Sequence, residues 1–388
     1  MDNSNDHMQT GLGDVTPPQC TLPRRDLWLL PLISLCTVLL LVGLAESSAR
    51  VLWSRSQDPC EVNDGSGGIT FLKNCHSHSK IPESSWIRNV TNECGYHNAS
   101  PCTPKPPGTI RLVTLGTSFS YGYHVDMDEN YPALLVKRLH KECRSQVDVQ
   151  NLGIPGKSVW AVARRLNEAI ALKPDAIVVS FLPTDFIRDI SDEQMDHLND
   201  PSYLPPSHRE IVHYGFVHRL IKPLKDDSRA LMMLQHFMYE DPEIHTKLYL
   251  LHGDEGDYLR TPFTPVWQKR INHFDAILGW MATRSQQTNV PIFLLIGPDS
   301  NEVSVIRSQP RPGVDPYAFN AALNALAAKY HIPVIDPLRL IVSETSPFRN
   351  FYLADGHMNG RGQTLLAEVV HNALLSDKIA PLAHCNAM

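Results

Sequence analysis

The sequence predicts an α/β protein whose parallel sheet carries helices on both faces, joined through a cysteine-rich segment to one apolar helix near the N-terminus. Short apolar, β-branched runs alternate with helical periods from Thr109 onward, the pattern of strand–helix–strand units. A charge-free stretch covers residues 27–45. Four cysteines crowd into residues 60–102, where neither a helical nor an alternating period holds.

The bulk properties agree with a globular chain. Its 388 residues correspond to two or three units at about 150 residues each. Hydrophobic residues make up 43% and charged residues 20%, which excludes a fibrous or wholly disordered chain. The net charge of −6 lacks the basic excess that a phosphate backbone demands, so no nucleic-acid partner is expected. Prolines outnumber glycines, 30 to 21, which points to loops stiffened by fixed φ angles. No internal repeat and no low-complexity run occurs.

Residues 27–45 are long enough for a hydrocarbon core of about 30 Å, and they are apolar all round rather than on one stripe. Arg24, Arg25 and Asp26 border them on one side, Glu46 and Arg50 on the other. A cleaved signal peptide competes, because residues 47–49 offer a small-x-small site, but the run exceeds the usual apolar region of about 7 to 15 residues. The expectation is an uncleaved transmembrane anchor over 27–45 preceded by a short cytoplasmic tail, 1–26. Arg50 and Arg55 balance Arg24 and Arg25, so flanking charge does not set the orientation.

The cysteines do. Beyond the apolar run lie Cys60, Cys75, Cys94, Cys102, Cys143 and Cys385, with Cys20 before it and Cys36 inside it. The Cys- and Pro-rich linker, 46–108, reads as irregular chain stapled by disulfides, which places the bulk of the protein in an oxidising, extracytoplasmic compartment. Zinc is the weaker alternative, since no C-x-x-C or H-x(3)-H pair occurs. The four clustered cysteines allow three pairings, and spacing does not choose among them. Asn89-Val-Thr and Asn98-Ala-Ser are glycan acceptors only in a eukaryotic host.

In the domain from 109 to 388, strands are expected at 109–116, 147–153, 175–182, 289–297 and 332–336. Helices are expected at 129–143, 158–173, 316–331 and 362–376. The interruption between about 191 and 285 is too long for a plain connection. Helical patterns at 226–241 and 263–284 suggest a cap over the sheet edge, the rival being a surface that meets the bilayer or a membrane partner. The methionine and aromatic stripe of 226–241 fits plain core.

The first strand ends at Gly116 and runs into Thr117-Ser118, which stands a hydroxyl at the strand's end. By itself Ser118 also reads as a turn cap. Asp355-Gly-His357, just before the last helix, supplies what a neutral hydroxyl lacks, a base and a carboxylate to orient it.

Four segments in this order resemble the blocks of SGNH (GDSL-type) hydrolases. TLGTSFSYGYHVDMDENYPALL carries the serine turn, NLGIPGKS resembles the second block, VVSFLPTDF the third, and DGHMNGRG the closing Asp and His block. The resemblance covers about 109–190 and 289–376 and implies a flavodoxin-like three-layer sandwich. It assigns Ser118, Asp355 and His357 as the catalytic set. The oxyanion hole comprises the backbone N–H groups of Ser118 and Gly156, Gly153 being the poorer alignment, with Thr184 as a third donor. Thr184 stands where the family normally has Asn, and losing such a donor costs about 3 to 4 kcal/mol of barrier, so Thr184 compensates or turnover is modest. Thr117 replaces the common aspartate, and Asp-x-His replaces the more widespread Asp-x-x-His. Asp185 reads as a cap for local amides and is left out of the set.

The expected function is a membrane-anchored extracytoplasmic esterase or O-acyltransferase acting on a glycan or lipid ester, with a membrane acyltransferase as a candidate partner. The alternative is a catalytically silent module of the same fold that binds glycan or partners a membrane acyltransferase. No G-x-G-x-x-G, P-loop or H-E-x-x-H occurs, so neither a cofactor nor a metal is expected.

Overall fold

The computed structural model describes residues 23–63, 69–143, 145–200, 202–203, 227–376, 382 and 385. It divides into two units, 1–48 and 49–388. Helix α1 (Asp26–Leu52) contributes most of the described part of the first. Its 27 residues rise about 40 Å, more than a bilayer core requires, and among the described residues no other helix is long and apolar enough to cross a membrane.

The second unit opens with two small antiparallel pairs, β1 (Glu61–Asn63) with β2 (Ile69–Phe71) and β3 (His76–Ser79) with β4 (Ile87–Val90). Strands of three or four residues hold too few alternations to show a period, which is why this segment reads as irregular. Disulfides join Cys60 to Cys75 and Cys94 to Cys102, and a third joins Cys143 to Cys385. Asn89 is buried at 5% exposure and donates its amide to Ser79 Oγ (2.9 Å), so it is no glycan acceptor in the folded chain.

The main sheet follows. In chain order come β5 (Ile110–Gly116), α2 (Ser118–Tyr121), α3 (Tyr131–Glu142), β6 (Val147–Asn151), α4 (Val159–Arg164), α5 (Leu166–Ala171) and β7 (Ala176–Phe181). Next are α6 (Asp192–Asp196), α7 (Arg229–Tyr239), α8 (Pro242–Tyr249), α9 (Pro265–Thr288), β8 (Ile292–Ile296) and α10 (Ser300–Arg307). The chain continues through α11 (Ala318–Lys329), β9 (Val334–Ile335), α12 (Leu338–Ser343) and α13 (Gly360–Ser376). The strands run parallel in the order β6-β5-β7-β8-β9.

Side chains alternate across the sheet and build a core on each face. Val113, Leu115, Ile177 and Val179 meet Trp160 of α4, Trp267 and Phe274 of α9 and Phe319 of α11. Leu112, Val178 and Leu295 meet Leu135 and Leu139 of α3, Val303 of α10 and Leu366 and Val370 of α13. The result is the expected three-layer α/β sandwich.

Two departures have local causes. The helix expected over 158–173 is two, because Arg165 leaves the helical register at ψ −2° and turns its guanidinium to the Leu152 carbonyl and to Glu168. The methionine and aromatic stripe is divided: Tyr239 is buried, whereas Leu231, Leu234 and Phe237 are exposed. Residues 204–226 of the interruption lie outside the described residues.

Glycine decides where β6 may end. A Cβ on Gly153 would lie 2.3 Å from the Tyr121 backbone nitrogen, so only glycine lets this strand end cross the turn after Ser118. Gly156, by contrast, has φ 74° and open space, its nearest neighbour being Arg188 Nη2 at 3.9 Å. Gly153→Ala is therefore expected to cost about 3 kcal/mol by overpacking against fixed backbone. Gly156→Ala is expected to cost about 1–2 kcal/mol for the left-handed conformation alone. Denaturant unfolding of the two variants checks the order.

Candidate active site

The carboxyl ends of adjacent parallel strands bring the predicted residues to one edge, where α/β sheets place ligands. Ser118 follows β5, Gly156 follows β6, and Thr184 lies on the 3₁₀ turn Pro183–Asp185 after β7. The ends are tied together: Ile154 N–H donates to the Gly116 carbonyl (3.1 Å) and Gly297 N–H to that of Phe181 (2.8 Å).

Ser118 begins the one-turn helix α2, which Gly122 closes at φ 74°. Gly116 leaves no room for a side chain, since a Cβ would sit 2.5 Å from Ser120 Oγ and 2.6 Å from Ser180 Oγ. Those two hydroxyls hydrogen-bond at 2.5 Å and pin the turn to β7. The Tyr121 carbonyl is held from two sides, by Asn151 Nδ2 (3.2 Å) and by buried His97 Nδ1 (2.7 Å). The turn that carries Ser118 is thus fixed by backbone and buried polar groups alike.

His357 arrives on a tight loop. Tyr352 N–H donates to the His357 carbonyl (2.8 Å), Gly356 N–H donates to the Tyr352 carbonyl (2.6 Å), and Gly356 takes φ 95°. That left-handed residue folds Asp355 and His357 onto each other, so the short Asp-x-His spacing suffices. His357 Nδ1 lies 2.5 Å from Asp355 Oδ1, and its Nε2 lies 2.9 Å from Ser118 Oγ. All three residues named from the sequence therefore meet in one hydrogen-bonded chain. Thr184 is half-buried on the turn that follows β7.

The electrostatics favour proton acceptance by His357. Burial opposes its charge, but the Asp355 carboxylate outweighs burial, and Asp185 and Asp299 add to it, so its pKa is raised. Asp355 feels burial in the opposite sense, yet His357 and then His124 hold it well below the usual carboxylate range. It stays ionised.

Several residues of the site carried no mark in the sequence pattern. His124 Nε2 lies 3.5 Å from Asp355 Oδ2, the second oxygen of that carboxylate. Glu83, its side chain 3% exposed, accepts the backbone N–H groups of Ala354 (3.1 Å) and Asp355 (2.9 Å), and it faces His236 Nδ1 at 2.6 Å. It braces the Asp355 loop from a segment 272 residues earlier, and nothing local announces it. Asp299 did have a signal: Asp299-Ser-Asn-Glu302 is a capping box at the start of α10. Burial raises Asp299 to about 6. Asp185, as expected, accepts a backbone amide, that of Leu182 (2.8 Å), and burial also pushes it to about 6.

His124, Asp355 and His357 bring donor atoms within 4.8 Å of one another, a set that suits a divalent cation. Both nitrogens of His357 are already engaged, so a metal there would displace Ser118 or Asp355.

The model of the GDSL-like lipase/acylhydrolase family matches residues 114–365. Among solved structures, the chain is similar to the lipase/acylhydrolase from Enterococcus faecalis, at 15% identity and TM-score 0.40, covering 68% of this chain and 95% of that one. It is also similar to an esterase from Pseudoalteromonas sp., at 12% identity and TM-score 0.34, covering 68% and 96%. A third is an alpha/beta hydrolase from the Lake Arreo metagenome, at 14% identity and TM-score 0.40, covering 68% and 94%. No curated protein matches.

Glu83→Gln is expected to cost about 1–3 kcal/mol, because the new amide group faces N–H donors it cannot accept. Glu83 raises the His236 pKa, so their pairing contributes fully below the ordinary histidine value and fades as pH rises through the raised one. The cost of the variant should therefore be larger at low than at high pH, which denaturant unfolding at several pH values checks.

Proposed function

Because this chain belongs to the GDSL-like lipase/acylhydrolase family, enzymes that act on ester bonds, we propose that Ser118 is its nucleophile, with His357 the general base and Asp355 its orienting carboxylate. The single observation that carries the reading is the continuous hydrogen-bonded chain from Ser118 Oγ through both nitrogens of His357 to Asp355. Ser118 Oγ attacks the ester carbonyl carbon while its proton passes to His357 Nε2. The backbone N–H groups of Ser118 and Gly156, with the Thr184 hydroxyl, face the carbonyl oxygen as it gains negative charge. Collapse of the tetrahedral adduct breaks the bond to the alcohol oxygen, which leaves with the proton of His357. Water, or a second alcohol, then gives a proton to His357 and attacks the acyl carbon, and collapse of this second adduct breaks the bond to Ser118 Oγ, which takes the proton back from His357.

We place this chemistry outside the cytoplasm, at a membrane. The three disulfides need an oxidising compartment, and the apolar helix Asp26–Leu52 has the length and composition of an anchor. An anchored enzyme meets surface-confined esters, of glycan or of lipid. When the second nucleophile is a sugar hydroxyl instead of water, the same acyl-enzyme makes the protein an O-acyltransferase, for which a membrane acyltransferase is a fitting source of acyl groups.

A fluorophosphonate is expected to label Ser118 in the folded protein, and Ser118→Ala should abolish both labelling and ester cleavage, a loss on the order of 10⁶-fold. Failure to label a folded chain would instead favour a silent glycan-binding module, the reading to which Thr184 in place of Asn lends support. The pH dependence follows from the direction of the His357 shift. Only neutral imidazole accepts the Ser118 proton, so kcat/KM should rise with pH through a midpoint above the ordinary histidine value of about 6.5. Asp355→Asn should move that midpoint down and lower kcat on the order of 10⁴-fold, as a pH–rate profile of both proteins would read.

A further inference from the structure

We infer that the polar cavity beside His357 receives the alcohol half of the ester, and that this alcohol is a carbohydrate or a comparable polyol. The inference rests on the reading of Ser118 as nucleophile and names the substrate class that this site takes.

The cavity has a volume of about 160 Å³, well beyond the ~10–15 Å³ that one ordered water occupies. Arg55, Asp58, Glu61 and Asn89 line one wall; Tyr123 and His124, from the turn after Ser118, line the other. The first wall belongs to the segment stapled by Cys60–Cys75 and shaped by the two small strand pairs, and it precedes residue 114, where the family match begins. The pocket thus joins a wall outside the family match to two residues, Tyr123 and His124, inside it.

Its position selects one half of the substrate. The rings of Tyr123 and His124 lie 5.4 and 5.3 Å from that of His357, both steeply inclined to it. The leaving oxygen has to take its proton from His357 Nε2, so the alcohol must project to the side that His357 occupies. The oxyanion donors, Gly156 and Thr184, come instead from the ends of β6 and β7. An alcohol leaving past His357 enters the space that Tyr123 and His124 border.

Its chemistry selects the class. Carboxylates at Asp58 and Glu61 accept from hydroxyls, the Arg55 guanidinium donates to them, and Tyr123 adds an aromatic wall whose hydroxyl already donates to Glu61 (3.1 Å). Asp58 is preorganised by accepting from the Cys60 amide (2.8 Å) and the Ser77 hydroxyl (2.5 Å). A hydrocarbon chain placed here would strip water from these groups without replacing its hydrogen bonds, whereas several hydroxyls on a ring would satisfy them.

The test compares two acetate esters with the same acyl group, 6-O-acetylglucose and hexyl acetate, on the full chain in detergent. Wild type is expected to favour the sugar ester in kcat/KM by about tenfold or more. Glu61→Gln, which keeps an acceptor for Tyr123, and Arg55→Ala, at an exposed position, are each expected to raise KM for the sugar ester about tenfold more than for hexyl acetate. Fluorophosphonate labelling of Ser118 in both variants confirms that the site is intact. Absence of a sugar preference in wild type, or an equal effect of both variants on the two esters, would overturn the assignment of the pocket. Loss of cleavage of both esters together with failure of Ser118 to label in wild type would overturn the nucleophile reading instead.

Discussion

A serine hydroxyl becomes a nucleophile only when a proton acceptor is aimed at it and held there, and in this chain the imidazole that meets Ser118 lies 239 residues away. The 2.9 Å contact between Ser118 Oγ and His357 Nε2 is therefore a tertiary constraint that the fold has to meet from both ends. At the serine end, Gly116 and Gly153 bring three stretches of backbone closer than any side chain would allow. At the histidine end, a loop closed by its own backbone hydrogen bonds sits ahead of α13, and α13 packs on α3, the helix that follows the turn at Ser118. Gln363 Oε1 accepts the Tyr131 N–H (2.8 Å), linking the starts of those two helices directly. An error at any of these contacts would be felt as a change in one distance.

The charges at the sheet edge are sorted by environment. Asp355 is paired with two imidazoles and stays ionised, whereas Asp185 and Asp299 are buried with amides as partners and rise to about 6. One carboxylate thus orients His357, and two others tune it from a distance. Carboxylates pushed apart in this way are a mark of sites that move protons, although burial beside a helix cap produces the same shift where no chemistry occurs. It is the geometry around His357 that separates the roles.

The segment before the sheet takes part in the site. Glu83 supports the Asp355 loop, His97 stacks on Tyr121 at 3.8 Å and holds its carbonyl, and Arg88 pairs with Asp126 and Asp128 beyond the turn at Ser118. Two disulfides and strands of three or four residues give this segment the rigidity that its small core does not. Its charged groups Arg55, Asp58 and Glu61 line a polar cavity together with Tyr123 and His124 from the turn after Ser118.

Local chemistry in the sequence was enough to determine the layered α/β class and the five parallel strands, because buried strands and helix faces leave a mark on neighbouring residues, and it singled out Ser118, Asp355 and His357, which the fold brings into hydrogen-bond contact. The division of 158–173 at Arg165, the short strands between Glu61 and Val90, the disulfide pairing, and the parts played by Glu83 and His124 were decided only in three dimensions. A side chain whose partner lies hundreds of residues away has no periodic or spacing signal, since what places it is the closure of the whole fold and not the preference of its own stretch of chain.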